Sequence, residues 1–268
     1  MTTAHDFEEL VSSATDETYL VSVRDLDEFD LVTNAGVPIV DFKDPLMGPL
    51  SPTSEKIWEL VEKQVRAGCG VFGPKNNRSG VLLSAALGER DQAVTAAKLL
   101  PDCFHFAKAG PSDCFDACVL TALWKELRSV LPAATELVAV AYADWQLANA
   151  MQPLEILRLA ADQGIKRFLI DTFTKDGRSL IDFLDLEDLG RLQRFAADRQ
   201  IWFAVAGSIK QSEVERLDHA GFVPDCYAVR GVVCGSGGRA SAICKDQLFQ
   251  WQDYLRTRRS VMRNEQLN

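Results

Sequence analysis

Three lysines and two aspartates carry the chemistry this chain could perform. In Ile39-Val-Asp-Phe-Lys-Asp-Pro45, Asp41 and Lys43 stand two residues apart in a short apolar run that stops at a proline. Side chains alternate along a strand, so Ile39, Asp41 and Lys43 share one face and Val40 and Phe42 the other. Pro45 cannot continue a ladder and pushes the residue before it out of helical geometry, which puts the pair at the carboxyl end of the strand. Phe104-His-Phe-Ala-Lys-Ala-Gly110 delivers Lys108 the same way, with Phe104, Phe106 and Lys108 expected on one face. Leu169-Ile-Asp-Thr-Phe-Thr-Lys-Asp-Gly177 supplies Asp171, expected to face inward with Leu169, and then Lys175. A lone strand-end lysine is ordinarily a solvated charge, but three that converge beside acids form a reactive group. A lysine that is desolvated and flanked by another ammonium has a lowered pKa, and its free amine can form a Schiff base or take a proton from carbon. Carboxylates orient the remaining cations and shuttle protons.

These residues converge only if the strands that carry them are parallel neighbours. From Tyr19 onward, short β-branched and aromatic runs alternate with longer segments of helical period. Strands are predicted at Tyr19–Val23, Pro38–Lys43, Val81–Ala85, Cys103–Lys108, Leu137–Tyr142, Arg167–Asp171, Ile201–Ala206 and Asp225–Arg230. Helices are predicted at Leu26–Ala35, Ser54–Ala67, Arg90–Leu100, Asp113–Leu131, Pro153–Gln163, Leu186–Gln200, Ser212–Ala220 and Asp246–Arg258. Pro153 suits a first helical turn, and Ser212 with Glu215 fits a capping box. Eight strand-helix units make an α/β protein with a single (β/α)8 TIM barrel, whose chemistry sits at the carboxyl ends of the strands. An open doubly wound sheet would want a glycine-rich fingerprint after the first strand, where this chain has Val23-Arg-Asp-Leu-Asp. The expected division is an N-terminal extension over 1–18 with a loose helix, a catalytic barrel over 19–260 and a tail over 261–268. The stretch Gly68 to Gly80 reads as a structural loop ahead of strand three.

The loops after strands seven and eight are Ala206-Gly-Ser-Ile209 and Arg230-Gly-Val-Val-Cys-Gly-Ser-Gly-Gly-Arg239. Barrel enzymes bind phosphate in these loops, where glycine lets backbone N–H groups approach closely. Gly207, Ser208, Arg230 and Gly231 are therefore the candidate phosphate ligands, although a flexible surface loop would show the same glycines.

Composition narrows the partners. The 268 residues, 47% hydrophobic and 25% charged, are ordinary for a globular chain that buries a sizeable core. A net charge of -9 argues against nucleic acid and anionic membranes. It leaves room for an anionic substrate held by locally concentrated cations. The longest apolar runs fall far short of the roughly 20 residues that span a bilayer, and the N-terminus lacks a basic-then-apolar leader, so a cytoplasmic protein is expected. Seven cysteines, no CxxC pair and three histidines suggest neither a disulfide framework nor a metal site. Cys114 and Cys118 read as buried helix cysteines. No cofactor is called for, and association into a homo-oligomer is left open.

The motifs together resemble the (5-formylfuran-3-yl)methyl phosphate synthase family of methanofuran biosynthesis. The resemblance rests on Leu20-Val-Ser-Val23, Ile39 to Pro45, Leu83-Ser-Ala-Ala-Leu-Gly88, Lys108-Ala-Gly110 and Tyr142-Ala-Asp144. It continues through Asp171-Thr-Phe-Thr-Lys-Asp-Gly-Arg-Ser-Leu180 with Asp182-Phe183, Ala206-Gly-Ser208 and Val229-Arg-Gly231. It covers the chain after residue 18 and is most specific over Asp171 to Phe183. It implies a lyase that condenses two glyceraldehyde 3-phosphate molecules into one furan phosphate, with loss of phosphate and water. Lys43 would be the Schiff-base lysine and Lys108 the proton acceptor, with Asp41, Asp171 and Lys175 in supporting roles. The chain departs from the family where Gly88-Glu-Arg-Asp enters a helix almost at once. The alternatives are another class I aldolase or phospho-sugar lyase on the same barrel, or a catalytically silent subunit of the pathway.

Overall fold

The computed structural model describes residues 18–67 and 80–266. The helix expected in the extension and the loop expected at 68–80, apart from Gly80, lie outside the described residues. Eight strands, β1 (Thr18–Val23), β2 (Ile39–Phe42), β3 (Leu82–Ala86), β4 (Phe106–Lys108), β5 (Glu136–Tyr142), β6 (Arg167–Asp171), β7 (Trp202–Val205) and β8 (Cys226–Val229), pair in sequence order. All pairings are parallel and β8 closes back on β1, which makes a closed barrel. Eight helices alternate with the strands: α1 (Leu26–Asn34), α2 (Glu55–Arg66), α3 (Arg90–Lys98), α4 (Ala117–Val130), α5 (Pro153–Asp162), α6 (Leu186–Asp198), α7 (Gln211–His219) and α8 (Lys245–Gln266). The (β/α)8 architecture is thus the one the alternation predicts. The last helix runs past residue 260, where a tail was expected to begin.

Because the strands are covered on both sides, they read as nearly continuous apolar runs and their side chains divide by parity. Leu20, Ile39, Leu82, Phe106, Val138, Val140, Leu169, Ala204 and Cys226 fill the barrel interior. Their neighbours Val21, Val40, Leu83, Ala107, Ala139, Phe168, Phe203 and Tyr227 pack outward against the helices. Phe104 departs from the expected face. The strand begins only at Phe106, so Phe104 turns outward and meets the rings of Phe42 at 5.6 Å and Trp58 at 6.1 Å.

Local chemistry fixes the helix starts. Asp25 accepts the Glu28 N–H at 2.9 Å, Asp116 that of Val119 at 2.8 Å and Asp185 that of Asp188 at 2.7 Å, each an N-cap satisfying a first-turn donor. Helix α7 starts earlier than the Ser212 and Glu215 pattern predicts: Lys210 is the cap and its N–H donates to Glu213 at 3.0 Å. Glu213, two residues ahead of Glu215, is the one that reaches the free N–H. Cys114 is buried but lies ahead of α4, and Cys118 is on the helix but exposed, so neither is the buried helix cysteine expected. No described helix is long and apolar enough to cross a membrane.

Candidate active site

The register of β1, β2 and β3 sets one half of the site. Ser22, Asp41 and Ser84 are laterally paired, so the Asp41 carboxylate lies between two hydroxyls. Ser22 Oγ donates to Asp41 Oδ2 at 3.1 Å and Ser84 Oγ to Oδ1 at 2.8 Å. Lys108, paired beside Ala86 one step up the barrel, donates its Nζ to Asp41 Oδ1 and to Ser84 Oγ at 3.0 Å. Asp41 and Lys108 are 1% and 3% exposed, so this is a desolvated ion pair in which both carboxylate oxygens are hydrogen-bonded. Burial by itself would raise the Asp41 carboxyl. The Lys108 and Lys43 charges, with hydrogen bonds from Lys108 and Ser84, overcome that and hold it below its ordinary value.

The other half comes from β6. Asp171 is 1% exposed, accepts the Thr172 N–H at 2.7 Å and receives Lys175 Nζ at 2.8 Å. Lys175 also donates to Thr172 Oγ1 at 3.1 Å. Lys43 lies between the halves, one residue beyond β2, with its amide still on the ladder through Val23 O at 2.9 Å. Its ammonium pairs with Asp171 Oδ2 at 3.9 Å and not with Asp41, whose oxygens Lys108 and the two serines occupy. Burial pushes the Lys43 amine down to about 8, Asp171 opposing and the Lys175 ammonium adding to the fall ahead of Lys108. Asp41 therefore orients Lys108, and Lys175 is the leading like charge on Lys43.

Sequence parity could have flagged Ser22 and Ser84, both polar residues at inward strand positions. Asp144 is a further buried group. It accepts the Phe173 N–H at 2.6 Å, the Thr174 N–H at 2.8 Å and the Thr174 hydroxyl at 2.7 Å, which ties down the turn that carries Lys175. On the neighbouring rim, Tyr142 donates to Glu89 at 2.6 Å, and Glu89 also accepts the Ser112 N–H at 3.1 Å, linking the loops after β3 and β4 to β5.

A cavity of about 990 Å³ opens over these groups, and Asp41, Lys43, Lys108, Asp171 and Lys175 all line it. Gly207, Ser208, Arg230 and Gly231 line it as well, so the structure brings every sequence-predicted site residue to one mouth. Gly207 and Ser208 have φ of 95° and 55°, a consecutive left-handed pair that makes a tight turn after β7. A Cβ on Gly207 would stand 2.9 Å from Thr172 Cγ2, so only glycine fits there.

Arg230 requires a correction. Its Nε donates to Arg239 O at 2.8 Å, its Nη1 to Ser22 O at 2.9 Å and Glu28 Oε2 at 2.8 Å, and its Nη2 to Glu28 Oε1 at 3.0 Å and Ser241 O at 3.1 Å. All five N–H donors of the guanidinium are used. Arg230 is 6% exposed and has no donor left for a phosphate. The adjacent Arg239 also lines the cavity, and no acceptor or carboxylate among the described residues hydrogen-bonds its guanidinium.

Comparison with known proteins assigns the chain a family. A family model described as 4-HFC-P synthase matches residues 19–252. A (5-formylfuran-3-yl)methyl phosphate synthase of Methanosarcina acetivorans is 31% identical over 230 residues, 84% of this chain and 93% of the relative. The protein of the same name from Methanosarcina mazei is 30% identical over 231 residues, again 84% and 93% of the two chains. The solved phosphoribosyl anthranilate isomerase of Thermus thermophilus superposes with a TM-score of 0.53 at 12% identity, covering 90% of this chain and 98% of that one, a likeness of fold.

Proposed function

Because the chain belongs to the 4-HFC-P synthase family, we propose that it condenses two molecules of glyceraldehyde 3-phosphate into (5-formylfuran-3-yl)methyl phosphate through an imine on Lys43, an early step of methanofuran-type cofactor biosynthesis. The observation that carries the reading is Lys43 itself, an amine lowered to about 8 in a cavity whose lining includes the Lys108 and Lys175 side chains and the Asp41 and Asp171 carboxylates. At neutral pH a usable fraction of it is the free nucleophile.

The amine adds to the aldehyde carbon of one triose phosphate and loses water to give the imine. The imine withdraws electrons from the adjacent carbon, so its C–H becomes acidic. The Lys108–Asp41 pair takes that proton as a unit. Lys108 rests as a donor to Asp41 and Ser84, so its amine is freed when a proton passes to the carboxylate. The electron pair left on carbon expels the phosphate from the next carbon. A second glyceraldehyde 3-phosphate isomerises to its ketone, the proton on its middle carbon passing to the aldehyde carbon, and the terminal carbon of the three-carbon enol bonds to that ketone carbon. Closing the ring removes two waters, and hydrolysis of the imine returns the water lost when it formed. One phosphate and two waters leave in total, and the second phosphate stays on the product. Asp171, shared by Lys43 and Lys175, keeps both cations in place and relays protons during imine formation. The phosphate ends lie against the Gly207-Ser208 turn and Gly231.

The test is direct. Incubation with glyceraldehyde 3-phosphate should give a product absorbing in the near ultraviolet, as a furan aldehyde does and an ordinary aldol product does not, with one inorganic phosphate per furan. Carbon-carbon bond formation without that absorbance would move the protein to another aldolase-type reaction.

A further inference from the structure

The segment between β8 and α8 is a strap across one side of the cavity, and an unusual number of charged groups hold it down. Arg230 donates to the carbonyls of Arg239 and Ser241, Arg24 Nη1 donates to Ala240 O at 2.8 Å, and Glu28 Oε1 accepts the Ile243 N–H at 3.3 Å. Glu28 and Arg230, 4% and 6% exposed, pair through both carboxylate oxygens. Arg24 Nε lies 3.4 Å from Glu28 Oε1. Three ionised side chains, none of them offered to the cavity as a free cation, therefore fix the backbone from Arg239 to Ile243. Within that pinned stretch one side chain faces the cavity with its guanidinium uncommitted, and it is Arg239. Its charge is felt at Asp171, which opposes the lowering that burial imposes on it. Arg239 thus stands within electrostatic reach of the lysine cluster.

We propose that Arg239 is the residue that grips a substrate phosphate, and that Arg24, Glu28 and Arg230 are positioning residues that hold the strap so that its guanidinium is presented to the cavity. A free, half-buried guanidinium presents a planar fork that matches two phosphate oxygens. Gly207, Ser208 and Gly231 line the same cavity and offer backbone N–H groups to the remaining oxygens. The arrangement separates two tasks: the saturated arginine organises the loop and the unsaturated one binds. The substrate class rests on the function proposed above, while the anion site stands apart from it.

The experiment measures two quantities on the full chain, KM for glyceraldehyde 3-phosphate and Kd for inorganic phosphate by titration calorimetry. Arg239→Ala should keep the wild-type melting temperature and raise both by about ten- to hundredfold, the scale of a lost charged hydrogen-bonding partner, with kcat changed less. Arg239→Lys should recover part of the loss. Arg24→Ala removes an exposed strap contact without unpairing Glu28 and Arg230, so it should fold normally and raise both constants several-fold. In the Arg239→Ala background it should add nothing, because its effect passes through Arg239. Unchanged constants in Arg239→Ala, or an Arg24→Ala effect of equal size in both backgrounds, would overturn the proposal. If the wild type makes no furan yet loses phosphate affinity on Arg239→Ala, the anion site stands and the reaction falls. Furan formation with an unchanged KM in Arg239→Ala removes the arginine alone.

Discussion

Replacing Lys175 with methionine should move the pH profile of the enzyme to higher pH. At pH 7 an amine titrating at about 8 is about one-tenth unprotonated, whereas one at the ordinary lysine value of 10.5 would be unprotonated in about three parts in ten thousand. Burial and its neighbours thus multiply the nucleophilic fraction of Lys43 about 300-fold. In the wild type kcat/KM should climb about tenfold per pH unit below 8 and flatten above it, since only the free amine attacks. Lys175 acts on this value twice. Its own ammonium repels that of Lys43, and it occupies Asp171 Oδ1 at 2.8 Å, competing for the carboxylate that would otherwise steady the Lys43 charge. Lys175→Met removes the repulsion and leaves Asp171 to Lys43 alone, and both changes favour the protonated amine. The acid limb should therefore move alkaline, with the rate at pH 7 falling about tenfold for every pH unit it moves and activity partly regained near pH 9. The assay is initial-rate furan absorbance from pH 6 to 10 in both proteins. A wild-type limb near 10.5 would refute the desolvated amine. A limb that stays in place while the rate falls equally at every pH would refute the role of Lys175 and place it on the substrate instead.

Asp41→Asn should destabilise the barrel by about 3–5 kcal/mol, because it strands the 3% exposed Lys108 without its counter-ion. Turnover should fall by on the order of 10²–10⁴-fold; denaturant unfolding and initial rates check the two. Asp144→Ala should lower kcat more than it raises KM, with faster hydrogen exchange at the Phe173 and Thr174 amides as the turn bearing Lys175 loosens. Acid should weaken the fold in two stages. His105 Nδ1 accepts the Leu83 N–H at 3.1 Å, and burial lowers its pKa below 6.5, so stability is full above 6.5 and declines as the pH falls below it. Asp41 and Asp171, both held below 3.8, add stability that is present above 3.8 and lost as pH falls through their native values. Melting temperature against pH should show both stages, and His105→Gln should lose the upper one.

Parity and punctuation carry the reading from sequence a long way. Strand-end positions of Asp41, Lys43, Lys108 and Asp171 follow from alternation in short runs, because a parallel strand buried on both faces must send every second residue into the barrel. Lys175 follows from its place just after β6. Pairings between these charges do not follow. Whether Asp41 meets Lys43, two residues away, or Lys108, 67 residues away, depends on register and barrel stagger, which no local pattern encodes. Phe104 fails because strand parity is extended two residues beyond the strand's real start. Arg230 fails for a different reason. Its position after β8 is read correctly, but its committed donors depend on Glu28, 202 residues away, and on the carbonyls of the folded strap that follows it. Arg239 acquires its place only through those same contacts.

The proposed chemistry turns on an imine at Lys43. Borohydride added during turnover should reduce that imine, inactivate the enzyme and leave a three-carbon adduct that peptide mass mapping places on Lys43. Lys43→Arg keeps a positive charge but cannot form an imine, so it should fold normally, take up no label and lose nearly all turnover. A label mapped to Lys108 or Lys175, or a Lys43→Arg variant with near-normal turnover, would contradict the account.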